Sequence, residues 1–226
     1  MSKDIIRDID GNEYKTVKIG DQLWMAENLN VGRFRNGDPI PEAKSEKDWQ
    51  FAGENGKPAW CYYDNNVEYG KLYGKLYNLY AMKDIRGLSP EGWYVPSDDD
   101  WKQLEINIGM SPNKTDAAYF RGTCEGGILK STRTYPDSHP RWSTPNEGAT
   151  NESGFSGLPG GARESGKFGS FDKIGEFGAW WTSSEQFYGI AWYRGLDHRT
   201  NLIYKHFAPW RLGLSIRCIM EKNIRE

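Results

Sequence analysis

Cysteine is scarce in this chain of 226 residues: Cys61, Cys124 and Cys218 are all it has. None of them forms a CxxC pair, which excludes the usual cysteine-built metal sites. An odd count leaves at most one disulfide plus a free thiol. Three reduced, mostly buried thiols are the simpler expectation. Histidine is equally rare, with His139, His198 and His206 only, and no HExxH or similar spacing. A GxSxG nucleophile elbow is missing; the nearest string, residues 154–157, has the wrong spacing. There is no Walker loop, and Pro159 in the turn cluster 157–161 would remove a donor from any phosphate cradle. Charge of one sign is also lacking. The 29 basic and 31 acidic residues leave a net charge of -2, so no basic excess points to nucleic acid. No apolar run approaches the roughly 20 residues that cross a membrane. Residues 1–17 contain no apolar core of a signal peptide. Two alternatives stay open there: the protein is not exported by that route, or a leader was removed.

What the chain does have is glycine and aromatics: 26 Gly, ten Trp and thirteen Tyr, against a mean hydropathy of -0.78. A core must therefore come from a few large rings, each removing roughly 150–250 Å² from water. The glycines punctuate hydrophobic pieces and follow no repeat, which implies short strands, tight turns and structured loops.

Residues 4–31 read as a β-meander, with turns at Asp10-Gly11-Asn12 and Gly20-Asp21-Gln22. A long excursion follows over 32–58, with a short helix near 45–51. Trp60 to Tyr63 read as a buried strand or turn. Leu72, Leu76, Leu79 and Tyr80 share one face of a helix expected over 72–82, despite Gly74. Ser97 followed by Asp100 is a capping box, and Asp98, Asp99 and Asp100 complement the helix dipole. Capping explains that acidic run without a metal. Trp101, Leu104, Ile108 and Glu105 then set the buried face, and Gly109 stops the helix. Three further strands are expected at 178–183, 191–196 and 214–219, the last with half-buried alternation. No linker separates the halves, so one domain over 1–226 is the reading.

Between the last two expected strands, residues 192–211 mix Trp, Tyr, His, Asn and Arg. Tyr, Trp and Arg dominate binding hot spots because they offer large contact area with a polar handle. Trp192 and Trp210 are read as core, and His198 and His206 as loop residues. The candidate ligand-binding residues are Arg194, Asp197, His198, Arg199, Asn201, Tyr204, Lys205 and His206. For the charged ones, a solvated face is the alternative. Glu147 and Glu152 lie in an Asn-rich loop, and hard oxygen ligands there would suit calcium. Hydrogen bonding to loop backbone is the plainer role for those side chains. No other cofactor is expected.

Several blocks carry a family resemblance: residues 10–20, Trp24 to Leu29, Tyr73 to Asn78, and Gly92 to Ser97 followed by Trp101. So do Asn151 to Phe155, Leu158 to Gly161, Trp180 to Glu185 and Gly213 to Cys218. In this order they resemble the Fibrobacter succinogenes major paralogous domain. That resemblance implies a place on a bacterial cell surface or a phage virion, and no defined reaction. The order is also similar to the C-type lectin-like fold of the formylglycine-generating-enzyme type. It implies an α+β class, with two helices packed on a small twisted antiparallel sheet and a long loop-rich second half. Those enzymes use a pair of active-site cysteines, and no matching pair occurs here. The expectation is a non-enzymatic binding or display domain that recognises a glycan or a protein ligand near 192–211. A structural virion or envelope component is the alternative, and homo-oligomers are compatible with both.

Overall fold

A computed structural model describes residues 5–134, 141–164 and 170–222. His139 lies outside the described residues. The meander forms as β1 (Ile5–Arg7), β2 (Glu13–Ile19) and β3 (Gln22–Met25). Asp8 makes its first turn. Its Oδ1 accepts from the backbone N–H of Asp10 and of Asn12, both at 3.0 Å, and its Oδ2 accepts from the Tyr14 hydroxyl at 2.5 Å. The helix read near 45–51 is α1 (Glu46–Glu54), started by a Ser45–Asp48 capping box. Trp60 and Cys61 form β4 (Trp60–Cys61).

The helix expected over 72–82 does not run through. It is three pieces: α2 (Val67–Tyr73), β5 (Leu76–Tyr77), which pairs with β4, and α3 (Leu79–Lys83). Gly74 causes the break, with φ +76° and a position where a Cβ would lie 2.8 Å from the Leu29 carbonyl oxygen. Only glycine tolerates both. Asn78 then caps α3, its side chain accepting from the Ala81 N–H at 2.9 Å.

Next come β6 (Trp93–Tyr94) and α4 (Asp98–Asn107), the latter opened by the Ser97–Asp100 capping box. After them lie β7 (Tyr119–Arg121), α5 (Glu125–Leu129), β8 (Gly160–Arg163) and β9 (Phe171–Ile174). The chain closes with β10 (Phe177–Phe187), β11 (Ile190–Asp197), β12 (Ile203–Pro209) and β13 (Ile219–Met220).

The architecture is mixed α and β and rich in strands. One sheet has the order β1-β2-β3-β13-β6, and a larger one the order β7-β12-β11-β10-β8-β9. Two helices on one small sheet is thus too sparse a description. The second half, expected to be mostly loop, supplies the largest sheet. The expected strand at 214–219 is mostly a bridge between sheets. Leu214 pairs with Tyr77, Ser215 with Ala179 and Trp181, and the Ile216 and Cys218 carbonyls accept from Leu29 and Met25. Core packs on both faces of the large sheet, because β10 alternates between Ala179 and Trp181: Trp181 enters one cluster with Met25, Tyr77 and Ile216, and Trp180 another with Trp24, Trp101 and Phe155.

Candidate functional site

The register of β11 against β12 decides which side chains meet. Arg194 sits opposite Lys205, Gly195 opposite Tyr204, and Tyr193 opposite His206. Successive residues point to opposite faces. Arg194 and Lys205 therefore share the face toward α4, and Tyr193, Tyr204 and His206 share the other.

On the α4 face the cations are buried, with Arg194 1 % and Lys205 2 % exposed. Arg194 Nε donates to Glu105 at 2.6 Å and its Nη1 to Asp98 at 2.7 Å. Lys205 Nζ donates to Asp98 at 3.0 Å, and Arg121 Nη2 reaches both Glu105 oxygens at 2.7 Å. Burial pushes the Asp98 carboxyl up, but the charge and hydrogen bonds of Arg194 and Lys205 outweigh it and hold the group at about 2. Burial lowers the Arg121 and Lys205 values, against the pull of their carboxylates. This network clamps α4 to β7, β11 and β12. Arg194 and Lys205 were expected on a ligand surface; both are instead interior partners of α4. The acidic run at the start of α4 does cap the helix, and Asp98 also anchors the clamp.

The opposite face is aromatic. Phe120 on β7 lies 4.8 Å from Tyr204, Phe177 and Tyr193 each lie 6.0 Å from it, and His206 stacks on it at 5.8 Å with nearly parallel rings. Gly195 makes room for this cluster, since a Cβ there would fall 2.2 Å from the Phe177 ring. These rings border an open groove of about 400 Å³, whose apolar floor includes Ala162, Ala208 and Leu214. Glu164, Lys173, Asp197 and Arg199 supply its polar rim. Burial foremost, then the nearby Tyr204 and Glu164, raises the Tyr193 phenol, which stays protonated at neutral pH.

The other candidate residues divide. Tyr204, Asp197 and Arg199 line the groove, and His206 flanks it through its stack on Tyr204. The Asp197 carboxylate accepts from the Arg199 backbone at 2.8 Å and from its guanidinium at 3.1–3.2 Å. His198 points elsewhere, its Nδ1 3.0 Å from the Thr144 carbonyl oxygen. Asn201 supports α5, its carbonyl accepting from the Gly127 N–H at 3.2 Å. Trp192 and Trp210 are half-buried and packed against neighbouring rings. Phe120 and Phe177 join the groove from distant segments. Their only signal in sequence is an aromatic beside a short β-prone run.

In the Asn-rich loop, Asn146 Nδ2 donates to the Ser131 carbonyl at 3.0 Å and Asn151 Nδ2 to Ser156 Oγ at 2.9 Å. Asn151 Oδ1 also accepts from the Ser156 N–H at 2.8 Å, so both asparagines hold loop backbone. Among the described residues no group of three or more His, Cys, Asp or Glu is arranged to hold a metal ion, and no helix is long and apolar enough to cross a membrane.

A family model described as the Fibrobacter succinogenes major domain matches residues 17–220. The chain belongs to that family. No curated protein and no solved structure matched the chain. The blocks that mark the major domain meet inside the fold. Asn28 Oδ1 accepts from Trp180 Nε1 at 2.8 Å and from Arg217 Nε at 2.9 Å, and its Nδ2 donates to the Tyr73 carbonyl at 2.8 Å. Phe155 meets Trp24, Trp101 and Trp180 edge-to-face. In this major domain those blocks build the scaffold, and the four rings of the groove, Phe120, Phe177, Tyr193 and Tyr204, come from segments between them.

Proposed function

We propose that this major domain is a non-enzymatic binding module, C-type lectin-like in architecture, that takes a glycan into the aromatic groove. It acts at a cell surface or on a virion, a placement that rests on the family. One observation carries the reading: Tyr193, Tyr204, Phe120 and Phe177 form a pre-assembled aromatic wall with charged residues at its rim. Ring faces stack on the C–H faces of sugars, while Glu164, Lys173 and Arg199 offer donors and acceptors to hydroxyls. The wall is held by strand register and not by mobile loops, so little ordering cost opposes binding. A glycan array followed by calorimetry on the hits tests this. Tyr204→Ala weakens binding by about tenfold or more, the loss expected of an aromatic hot spot, while the fold persists. An array without hits overturns the glycan reading.

A second reading has its own support. The end of β10 and the turn after it present Phe187 and a fully exposed Tyr188, adjacent rings that offer apolar area to a neighbouring chain. Under it the domain is a structural component joined to a neighbouring chain. A silent array together with self-assembly that Tyr188→Ser abolishes favours this second reading.

A further inference from the structure

A second concavity lies away from the aromatic groove and shares none of its lining residues. It is a cleft of about 470 Å³ between β2, the last turn of α2 and the loops at 131–133 and 151–158. Its cationic lining is Lys15, Lys71 and Arg133, and its one acidic lining residue is Glu27. Lys15 sits 3.5 Å from Glu27, and the exposed Lys71 pairs with Glu68 at 2.7 Å. Arg133 is exposed and has no ion-pair partner among the described residues. Thr132, Ser156 and Asn151 add hydroxyl and amide groups, and Val17, Ala26, Leu72 and Leu158 make the apolar part of the lining.

Behind the wall of this cleft sits Arg217, with no exposed surface. Its guanidinium donates to Asn28 Oδ1 at 2.9 Å, to the Ser156 carbonyl at 2.8 Å and to the Phe155 carbonyl. The Phe155 ring lies 4.1 Å from it. No carboxylate within ion-pair distance of Arg217 occurs among the described residues. Ser156, whose carbonyl it holds, is itself part of the cleft lining. A buried charge surrounded only by dipoles and rings is weakly screened, and its field extends into the nearest concavity. Burial lowers the Arg217 value to about 9, and Glu27, in the cleft lining, is the one charge that opposes it.

We infer that this cleft is an anion site, which takes a carboxylate or phosphate group carried on a polar ligand. The ligand's charge would lie between the Lys15 and Arg133 side chains and over the wall that Arg217 supports. This inference does not rest on the aromatic groove. The test is an NMR titration of the isotope-labelled chain at low ionic strength with glucuronate, inorganic phosphate and neutral glucose. Saturable shifts with glucuronate, phosphate or both, and none with glucose, are expected. Glucuronate alone identifies a carboxylate ligand, and phosphate alone a phosphorylated one. The Arg217 Nε–H resonance moves with the same saturation curve. The double variant Lys15→Ala/Arg133→Ala, both at exposed positions, loses about tenfold or more in affinity. Tyr204→Ala binds the anion unchanged. The inference is overturned if neither anion saturates, if glucose binds as well as glucuronate, if the Arg217 signal stays fixed, or if the double variant binds as the parent does.

Discussion

The charge clamp beneath β11 and β12 makes a prediction about the order of two substitutions. Its buried members are three cations, Arg121, Arg194 and Lys205, and two carboxylates, Asp98 and Glu105. Lys102, half-buried, also reaches Asp98 at 3.2 Å, and it is paired in turn with the exposed Asp99 and Asp116. The buried members alone carry a net charge of one positive. Glu105→Gln keeps the shape but leaves the three buried cations sharing one buried carboxylate. Glu105 is wholly buried and receives three of the clamp's hydrogen bonds, two from Arg121 and one from Arg194. Removing one partner of such a pair costs about 3–5 kcal/mol, because the charges left behind stay desolvated. Arg194→Met leaves two buried cations facing two buried carboxylates: Arg121 still holds Glu105, and Lys205, with Lys102 beside it, still holds Asp98. Its cost is that of the lost charge-assisted bonds, about 1.5–3 kcal/mol. Urea unfolding followed by tryptophan fluorescence reads both, with an unchanged slope showing that stability alone has moved. A domain's whole stability is only about 5–15 kcal/mol, so the two midpoints should separate clearly. When both substitutions are combined the loss is smaller than the sum, since Glu105 and Arg194 are hydrogen-bonded to each other and each single change already breaks that bond. Arg194→Met costing as much as Glu105→Gln, or strict additivity, would falsify the charge-balance argument.

Two other measurements follow from buried groups. Burial lowers the Lys130 ammonium to about 8, against the opposing charges of Asp197 and Glu147. Its folded value lies below the unfolded one of about 10.4, so the folded state sheds the proton first and stability relative to Lys130→Met rises with pH between those values; parallel curves for the two proteins over that window would contradict this. Burial also raises the thiols of Cys61 and Cys218, to about 11 and about 12, whereas Cys124 is exposed. A thiol reagent at neutral pH should therefore label one cysteine in the folded protein and all three in urea, and a native count other than one would be wrong for this fold.

The N-terminal meander was legible because its determinants are local: the Asp8 turn needs residues within six positions of it. The same holds for both capping boxes, at Ser45 and Ser97. Local pattern misled at 72–82. Helical spacing of Leu72, Leu76 and Leu79 is unaffected by a break at Gly74, and the Leu29 carbonyl that requires glycine lies 45 residues away. β12 was missed for a related reason. Lys205 and His206 give the segment a surface look, and the carboxylates that admit cations to the interior lie far off. Asp98 is 107 residues from Lys205 and 96 from Arg194. A residue's charge is visible in sequence, but its distant counter-charge is not. The aromatic groove was half legible: Tyr204 and Arg199 fell in the segment singled out, whereas Phe120 and Phe177 enter only through strand order.

Three other buried cations do a different job from the clamp. In the long irregular segments, carbonyls have no ladder to receive them, and a buried acceptor without a donor is costly. Arg163 donates to the Ala43 and Ser45 carbonyls at 3.1 and 3.0 Å, Arg217 to those of Phe155 and Ser156, and Lys130 to those of Glu147, Asp197 and Thr200 at 2.7–3.1 Å. Each is a single side chain with several donors, and Lys130 gathers carbonyls from two segments, at 147 and at 197–200. Aromatic faces at 4.1–5.6 Å add to their support. Lys130 connects this device to the groove. Two of its three acceptors are Asp197, the last residue of β11, and Thr200 in the turn to β12, and that turn carries Arg199 on the groove rim. The position of the rim is thus set from the interior by a cation, and the rings of the wall by strand register. The groove therefore keeps its shape without any regular structure in the turn that completes it.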